Sequence, residues 1–294
     1  TTQSNHCNHL PTTCRIRQGL RFNTHCIHTY SFGLHTRNNR RIDNSQQAVT
    51  TMLEKTTVEF IIAHRNDDVH TLALQVKRYP DVDIREAVVQ IEGWQQAREK
   101  LPAWSAVEGV IYPPKISMEQ CSSEYTAKYK AALTSGKRFA DLTGGFGIDF
   151  SYIARNFSES YYIERNEKLC GIATANFSLL GLDNATVMNG NSEELLATLP
   201  QLDWIFVDPA RRDEYGRKMV SLHDCSPDVA ELHDILLKKA KKVLVKVSPM
   251  LDIEMIKKEL TDITEIHVVA VRNECKEILL EIQKTKNSKT QNLS

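Results

Sequence analysis

Asp141-Leu-Thr-Gly-Gly-Phe-Gly147 places a carboxylate just ahead of three closely spaced glycines, Gly144, Gly145 and Gly147. Such a run lets a ligand lie against bare backbone, and where a helix follows, its first amides face that ligand. Glu164 follows 23 residues after Asp141. An acid at the tip of the second strand of a nucleoside-binding sheet can accept hydrogen bonds from both ribose hydroxyls. Further on, Asp208-Pro-Ala-Arg-Arg212 sets a carboxylate beside the Pro209 carbonyl, two acceptors suited to the N–H bonds of an amine. Arg211 and Arg212 could stack on a base, hold a phosphate, or form ion pairs at the rim.

These residues need strands to carry them, and the sequence supplies strands in order. Residues 139–142 read as a short apolar strand, the glycines as a turn, and 148–154 as an amphipathic helix with Phe150, Ile153 and Ala154 on one side. A dinucleotide fingerprint requires a third glycine where strand and helix pack; Phe150 stands there, so the NAD reading loses ground. A glycine turn in some other α/β protein stays open on this motif alone. Strands follow at 160–165, 202–208, 242–249, 266–271 and 274–282, with a strand and turn at 185–194, a helix at 167–180 closed by Gly181 and another at 253–260. Arg272-Asn273 reads as a hairpin, which makes the last strand antiparallel. The 202–208 run is continuously apolar apart from Asp203 and the terminal Asp208, as a parallel strand buried on both faces requires.

The rest of the chain frames this sheet. Its 294 residues allow one sizeable α/β domain and a smaller attachment, and 37 basic residues against 37 acidic ones give no whole-chain case for nucleic acid or an anionic membrane. No run reaches the length of a membrane span and the start lacks the regions of a signal peptide, so a soluble cytoplasmic protein is expected. Seven scattered cysteines without a Cys-x-x-Cys pair fit a reducing compartment. Residues 1–51 contain Arg but no Lys or Glu and no sustained apolar period, and are expected to be disordered or a non-native leader ahead of Met52. They hold zinc-type ligands, His6, Cys7, His9, Cys14, His25, Cys26 and His28, at spacings that match no finger or knuckle, and no metal site is expected. Residues 52–117 read as a small helical domain: Val69, Leu72, Ala73 and Val76 share one face after Asp67 and Asp68, and Asp83 with Glu86 opens a longer helix stopped at Pro102. Trp94 and Trp104 are expected in its core, and His64 with Asp67 and Asp68 in caps and solvated charges rather than as metal ligands. Residues 284–294 form a polar tail.

Asp141-x-x-x-Gly145-x-Gly147 resembles motif I of class I S-adenosylmethionine (SAM) methyltransferases, and the resemblance covers residues 121–283. More narrowly, Met118-Glu-Gln-Cys-Ser-Ser-Glu-Tyr-Thr-Ala127, Asp141-Leu-Thr-Gly-Gly-Phe-Gly147, Asp208-Pro-Ala-Arg-Arg212 and Lys246-Val-Ser-Pro-Met250 are similar to bacterial methyltransferases that carry a C-terminal THUMP-like domain. The resemblance implies a Rossmann-like α/β sheet of seven strands in the order 3-2-1-4-5-7-6, the last antiparallel, spanning 118–283 behind the helical domain. It implies SAM as cofactor, bound by Asp141, Thr143, Gly144, Gly145, Gly147, Glu164, Arg165, Asn191, Ser192 and Asp208. Asn191 stands where the family commonly has Asp facing the adenine amino group. Ser122, Ser123, Glu124 and Thr126 fall in the segment that folds over the cofactor in many members; a plain capped helix is the other reading.

Catalysis would fall to Asp208, Pro209 and Arg211, with Arg211, Arg212 and Lys246 contacting substrate. RNA is the implied partner and a base amino group the implied acceptor. A protein or small-molecule acceptor, or a non-catalytic SAM-binding or partner-docking module, are the alternatives. A covalent uridine C5 route would need a cysteine after strand five, where this chain has Ser248-Pro249; Cys225 lies instead in the loop after strand four. The family's THUMP-like module would follow Gln283; here the polar tail runs to Ser294, so that module is expected to be missing.

Overall fold

The computed structural model describes residues 13–17, 53–211 and 221–284. The chain divides into two compact units. One holds residues 13–17, 136–143, 192–211 and 221–284; the other holds 53–135 and 144–191.

In the first unit the strands are β1 (Thr13–Arg17), β2 (Arg138–Asp141), β5 (Leu202–Val207), β8 (Ala240–Val247), β9 (Ile263–Val271) and β10 (Glu274–Ile282), lying side by side as β1-β9-β10-β8-β5-β2. β2, β5 and β8 run parallel, with Phe139 opposite Trp204 and Ile205 opposite Val243. β10 is antiparallel to both β8 and β9. Arg272 and Asn273 turn the β9–β10 hairpin with φ of 52° and 62°, the left-handed pair that a type I′ turn needs. Helices α9 (Ser192–Thr198), α10 (Val229–Lys239) and α11 (Ile253–Glu259) accompany this sheet. Ile205, Val207, Leu244, Val245, Leu279 and Leu280 are almost fully buried, each worth about 1.5–3 kcal/mol of apolar transfer.

In the second unit β3 (Glu159–Glu164) and β4 (Ala185–Asn189) pair in parallel, Tyr162 opposite Val187. Eight helices go with them: α1 (Lys55–His64), α2 (Val69–Ala73), α3 (Ile84–Lys100), α4 (Pro102–Ser105), α5 (Lys115–Gln120), α6 (Glu124–Leu133), α7 (Ile148–Ile153) and α8 (Glu167–Leu179). The caps at Asp83 and Asp68 are expected ones, and Asn166 adds a third. Asp83 accepts from Glu86 N, Asp68 from Thr71 N and Asn166 from Lys168 N and Leu169 N. The phenyl ring of Phe146, from the glycine turn, packs in one core with Trp104, Tyr112, Met118 and Ala127.

The fold class is the one expected: with β2, β3, β4, β5, β8, β9 and β10 counted as strands one to seven, the orders inside the two units are 1-4-5-7-6 and 3-2, and the last strand is antiparallel. The strand order differs by one addition. Thr13–Arg17, in a stretch expected to lack structure, pairs antiparallel with β9, Arg15 opposite His267. An open sheet edge offers unpaired backbone groups, and joining it needs no apolar run in the added strand, so nothing in the side-chain pattern announced it. The remaining zinc-type residues of the leader lie outside the described residues. Trp104 is buried as expected, whereas Trp94 is only partly buried, with the Arg65 and Arg98 guanidiniums 5.0 and 5.2 Å from its ring.

Candidate active site

The site residues divide between the units, and each part has its own geometry. In the first unit β2 ends on Asp141, whose carboxylate is 1% exposed. Its Oδ1 accepts from Thr143 N at 2.9 Å, and the Thr143 hydroxyl accepts from Asp208 N at 2.7 Å. Leu142 N donates to Phe206 O. The ends of β2 and β5 are thus tied through one threonine, which makes Thr143 a support for Asp208. Lys246, on β8, lies with its ammonium 2.6 Å from Asp208 Oδ2. Expected as a substrate contact, Lys246 is engaged with the candidate catalytic carboxylate. Pro209 leads into a two-residue strand, β6 (Ala210–Arg211), paired with β7 (Cys225–Ser226). Arg212 and the side chain of Arg211 lie outside the described residues.

In the second unit the turn is built on packing. Gly147 sits at φ 86°, and a Cβ there would come within 2.8 Å of the Phe177 ring. A Cβ on Gly144 would fall 2.2 Å from the Tyr162 ring. Tyr162 also donates its hydroxyl hydrogen to Gly145 O. These two glycines therefore serve a close approach of protein to protein, a role that the motif alone assigned to the ligand. Glu164 ends β3, with Oε2 accepting from Gly145 N at 2.9 Å and Oε1 from Asn166 N at 2.8 Å. Each carboxylate oxygen has two acceptor directions, so two remain, one per oxygen, the number that a vicinal diol uses. Asn189 Nδ2 donates to Glu164 O and Arg165 O, and Gly190 N also donates to Glu164 O, fixing the strand ends. Asn191 directly precedes α9, which begins at Ser192.

The segment before β2 is engaged internally. Ser123 caps α6 by accepting from Thr126 N, and the buried Glu124 accepts from Ala103 N at 2.8 Å. Ser122 donates to Asp149 Oδ2 at 2.7 Å. The capped-helix reading accounts for Ser123, Glu124 and Thr126. Sequence reasoning missed Asn176, whose buried amide holds Ile111 N and Ile111 O, and Gln90, which does the same for Tyr112. A buried amide inside an apolar helix pattern was the available signal.

Of the residues weighed as metal ligands, His64 pairs with Asp67 at 2.7 Å and Asp68 caps α2. Among the described residues, Glu265, His267 and Glu281 come within 4.8 Å of one another. The Lys242 ammonium, 2.6 Å from Glu281, already supplies positive charge there.

No protein-family model matches the chain. A solved structure from Porphyromonas gingivalis W83, named as a methyltransferase, superposes with a TM-score of 0.68 at 30% identity. The fold is the class I methyltransferase fold. That match covers 81% of this chain and 58% of the other. A Methanosarcina acetivorans protein named as a cobalt-precorrin-6B C(15)-methyltransferase (decarboxylating) is 37% identical over 79 residues, 26% of this chain and 42% of its own length. The chain therefore spans less than two thirds of either protein.

Proposed function

We propose that the chain is a SAM-dependent methyltransferase whose acceptor is a base amino group in RNA. Glu164 carries the cofactor half of the reading. It is an acid at the end of β3, pinned to the glycine turn through Gly145 N with two acceptor directions left, the arrangement a ribose diol requires. Asp141, Thr143, the three glycines, Arg165, Asn191 and Ser192 complete the assigned cofactor contacts. The likeness to the P. gingivalis protein supports the same reading.

SAM supplies a methyl group on a sulfonium. Held by the residues assigned above, it would supply that methyl group to the acceptor nitrogen, with the nitrogen's N–H proton passing to solvent. Alignment is the main task of the protein. Asp208 and the Pro209 carbonyl accept the amine N–H bonds and so direct the lone pair, while Lys246 holds Asp208 in place. Arg211 and Arg212 are assigned to the RNA, by stacking or by a phosphate contact. A covalent route through Cys225 is disfavoured by its burial, at 1% exposure. Among the described residues no helix is long and apolar enough to cross a membrane. The scattered cysteines without a Cys-x-x-Cys pair support a cytoplasmic assignment.

A small-molecule acceptor is the second reading, favoured by the name of the M. acetivorans relative. Calorimetric titration with SAM and with its demethylated product is the first test; absence of binding defeats both readings. Radiolabelled methyl transfer into fractionated extract then decides the acceptor. Label in RNA supports the proposal, label in the small-molecule fraction supports the second reading, and binding without transfer to any fraction leaves a SAM-binding module.

A further inference from the structure

Lys130 is fully buried, at 0% exposure, in the middle of α6. Burying an ammonium is expensive unless a partner and hydrogen bonds compensate. One partner is Asp149, 8% exposed, whose Oδ1 lies 3.1 Å from Lys130 Nζ, close enough for an ion pair but off the direction of a hydrogen bond. Ser122 closes the triangle: Lys130 Nζ donates to its hydroxyl oxygen at 3.1 Å, and the hydroxyl donates to Asp149 Oδ2 at 2.7 Å. All three residues belong to the second unit.

Their places along the chain give the triangle its meaning. Asp149 is the second residue of α7, two positions after Gly147. Ser122 stands just before the α6 cap, Ser123, and Lys130 lies two turns into that helix. The helix that leaves the glycine turn is thus tied at one carboxylate to both ends of residues 122–130. Apolar side chains of similar size commonly replace a buried ion pair with little loss of stability. Stability alone therefore gives little reason to hold three polar groups here, while an ion pair fixes distance and direction more narrowly than apolar contact does.

We propose that Lys130, Asp149 and Ser122 are positioning residues for the cofactor: they hold residues 122–130 in fixed register with the glycine turn, and SAM affinity depends on that register. This inference rests on the SAM reading above. It gives the pre-turn segment a part in binding even though Ser123, Glu124 and Thr126 are occupied in capping and packing.

The test is SAM titration together with thermal unfolding for the full chain and three variants. Lys130→Met strands a buried carboxylate and should lower the unfolding midpoint and weaken SAM binding together. Lys130→Met/Asp149→Asn removes both charges and keeps an acceptor for Ser122. Its midpoint should return to within a few degrees of the parent while its SAM dissociation constant stays raised by roughly tenfold. Ser122→Ala keeps the ion pair and should weaken binding several-fold with a small change in midpoint. A double variant that binds SAM like the parent overturns the inference and makes the network purely structural. So does a double variant whose midpoint stays as low as that of Lys130→Met. If the parent itself does not bind SAM, the SAM reading falls and this inference with it; parent binding with an unaffected double variant removes this inference alone.

Discussion

The ammonium of Lys246 and the carboxylate of Asp208 meet at 2.6 Å, and Asp208 is also held through its backbone N–H by Thr143. Under the proposed function, a carboxylate so paired orients the acceptor amine more than it supplies net negative charge. Asp208→Ala should lower methyl transfer by about 100-fold or more, well beyond any accompanying change in SAM affinity. Lys246→Met should lower the turnover rate by about tenfold through loss of that orientation. Radiolabelled transfer and calorimetry on the same preparations check both, and retained turnover in Asp208→Ala would remove that residue from the mechanism.

Glu164 accepts from two backbone amides and is assigned two ribose hydroxyls in addition. Glu164→Ala should weaken SAM binding by roughly 30-fold or more, since a hydrogen bond to a charged group is worth about 1.5–3 kcal/mol. Calorimetric titration gives the number directly; an unchanged dissociation constant would place the ribose elsewhere.

Gly144 has no room for a methyl group, because the Tyr162 ring carbons lie 2.2 Å from where it would stand. Gly144→Ala is expected to destabilise the chain by about 1–3 kcal/mol, read as a fall in the urea midpoint.

Asp203 accepts from Lys241 Nζ at 2.7 Å and from the backbone amides of Lys137 and Arg138. The Lys241 hydrogen bond first, then the backbone donors, bring its pKa down from 3.8 to about 2. A carboxylate with a folded pKa below its unfolded value stabilises the fold at and above about pH 4 and loses that contribution as pH falls toward 2. Asp203→Asn should therefore cost roughly 1–2 kcal/mol at pH 7. The gap between parent and variant should close between pH 4 and pH 2 in unfolding curves. A gap that persists unchanged at pH 2 would assign the loss to geometry instead of charge.

Asn176 is fully buried and holds both backbone polar groups of Ile111. Asn176→Ala leaves a buried N–H and C=O unpaired, and a loss of about 2–4 kcal/mol is expected. Hydrogen exchange at Ile111 N–H reports it locally: exchange should accelerate in the variant.

What could be read from the chain and what could not differ in kind. The cap at Asp83, the closure of α8 by Gly181 at φ 67° and the Arg272-Asn273 hairpin depend on neighbours within a few residues, and the sequence shows such neighbours. The buried run at β5 was legible because every side chain in it except that of Asp203 is buried. The candidate residues were legible as types at spacings, namely an acid, glycines, another acid and Asp-Pro. Their partners were not. That Lys246 engages Asp208, that Thr143 supports it, and that Asn176 reaches a residue 65 positions away are outcomes of folding between distant stretches. The strand at Thr13–Arg17 escaped for a related reason, since it is recruited through backbone by an edge formed some 250 residues later.

Tyr162 fills the space a side chain at 144 would need and bonds the carbonyl of Gly145. Positions 144 and 162 therefore cannot drift separately over evolutionary time. Among homologous sequences, a larger residue at 144 should occur together with a smaller one at 162, and an aromatic at 162 should go with glycine at 144. The tyrosine acts as a gauge for the turn, and the two positions should be inherited as a pair.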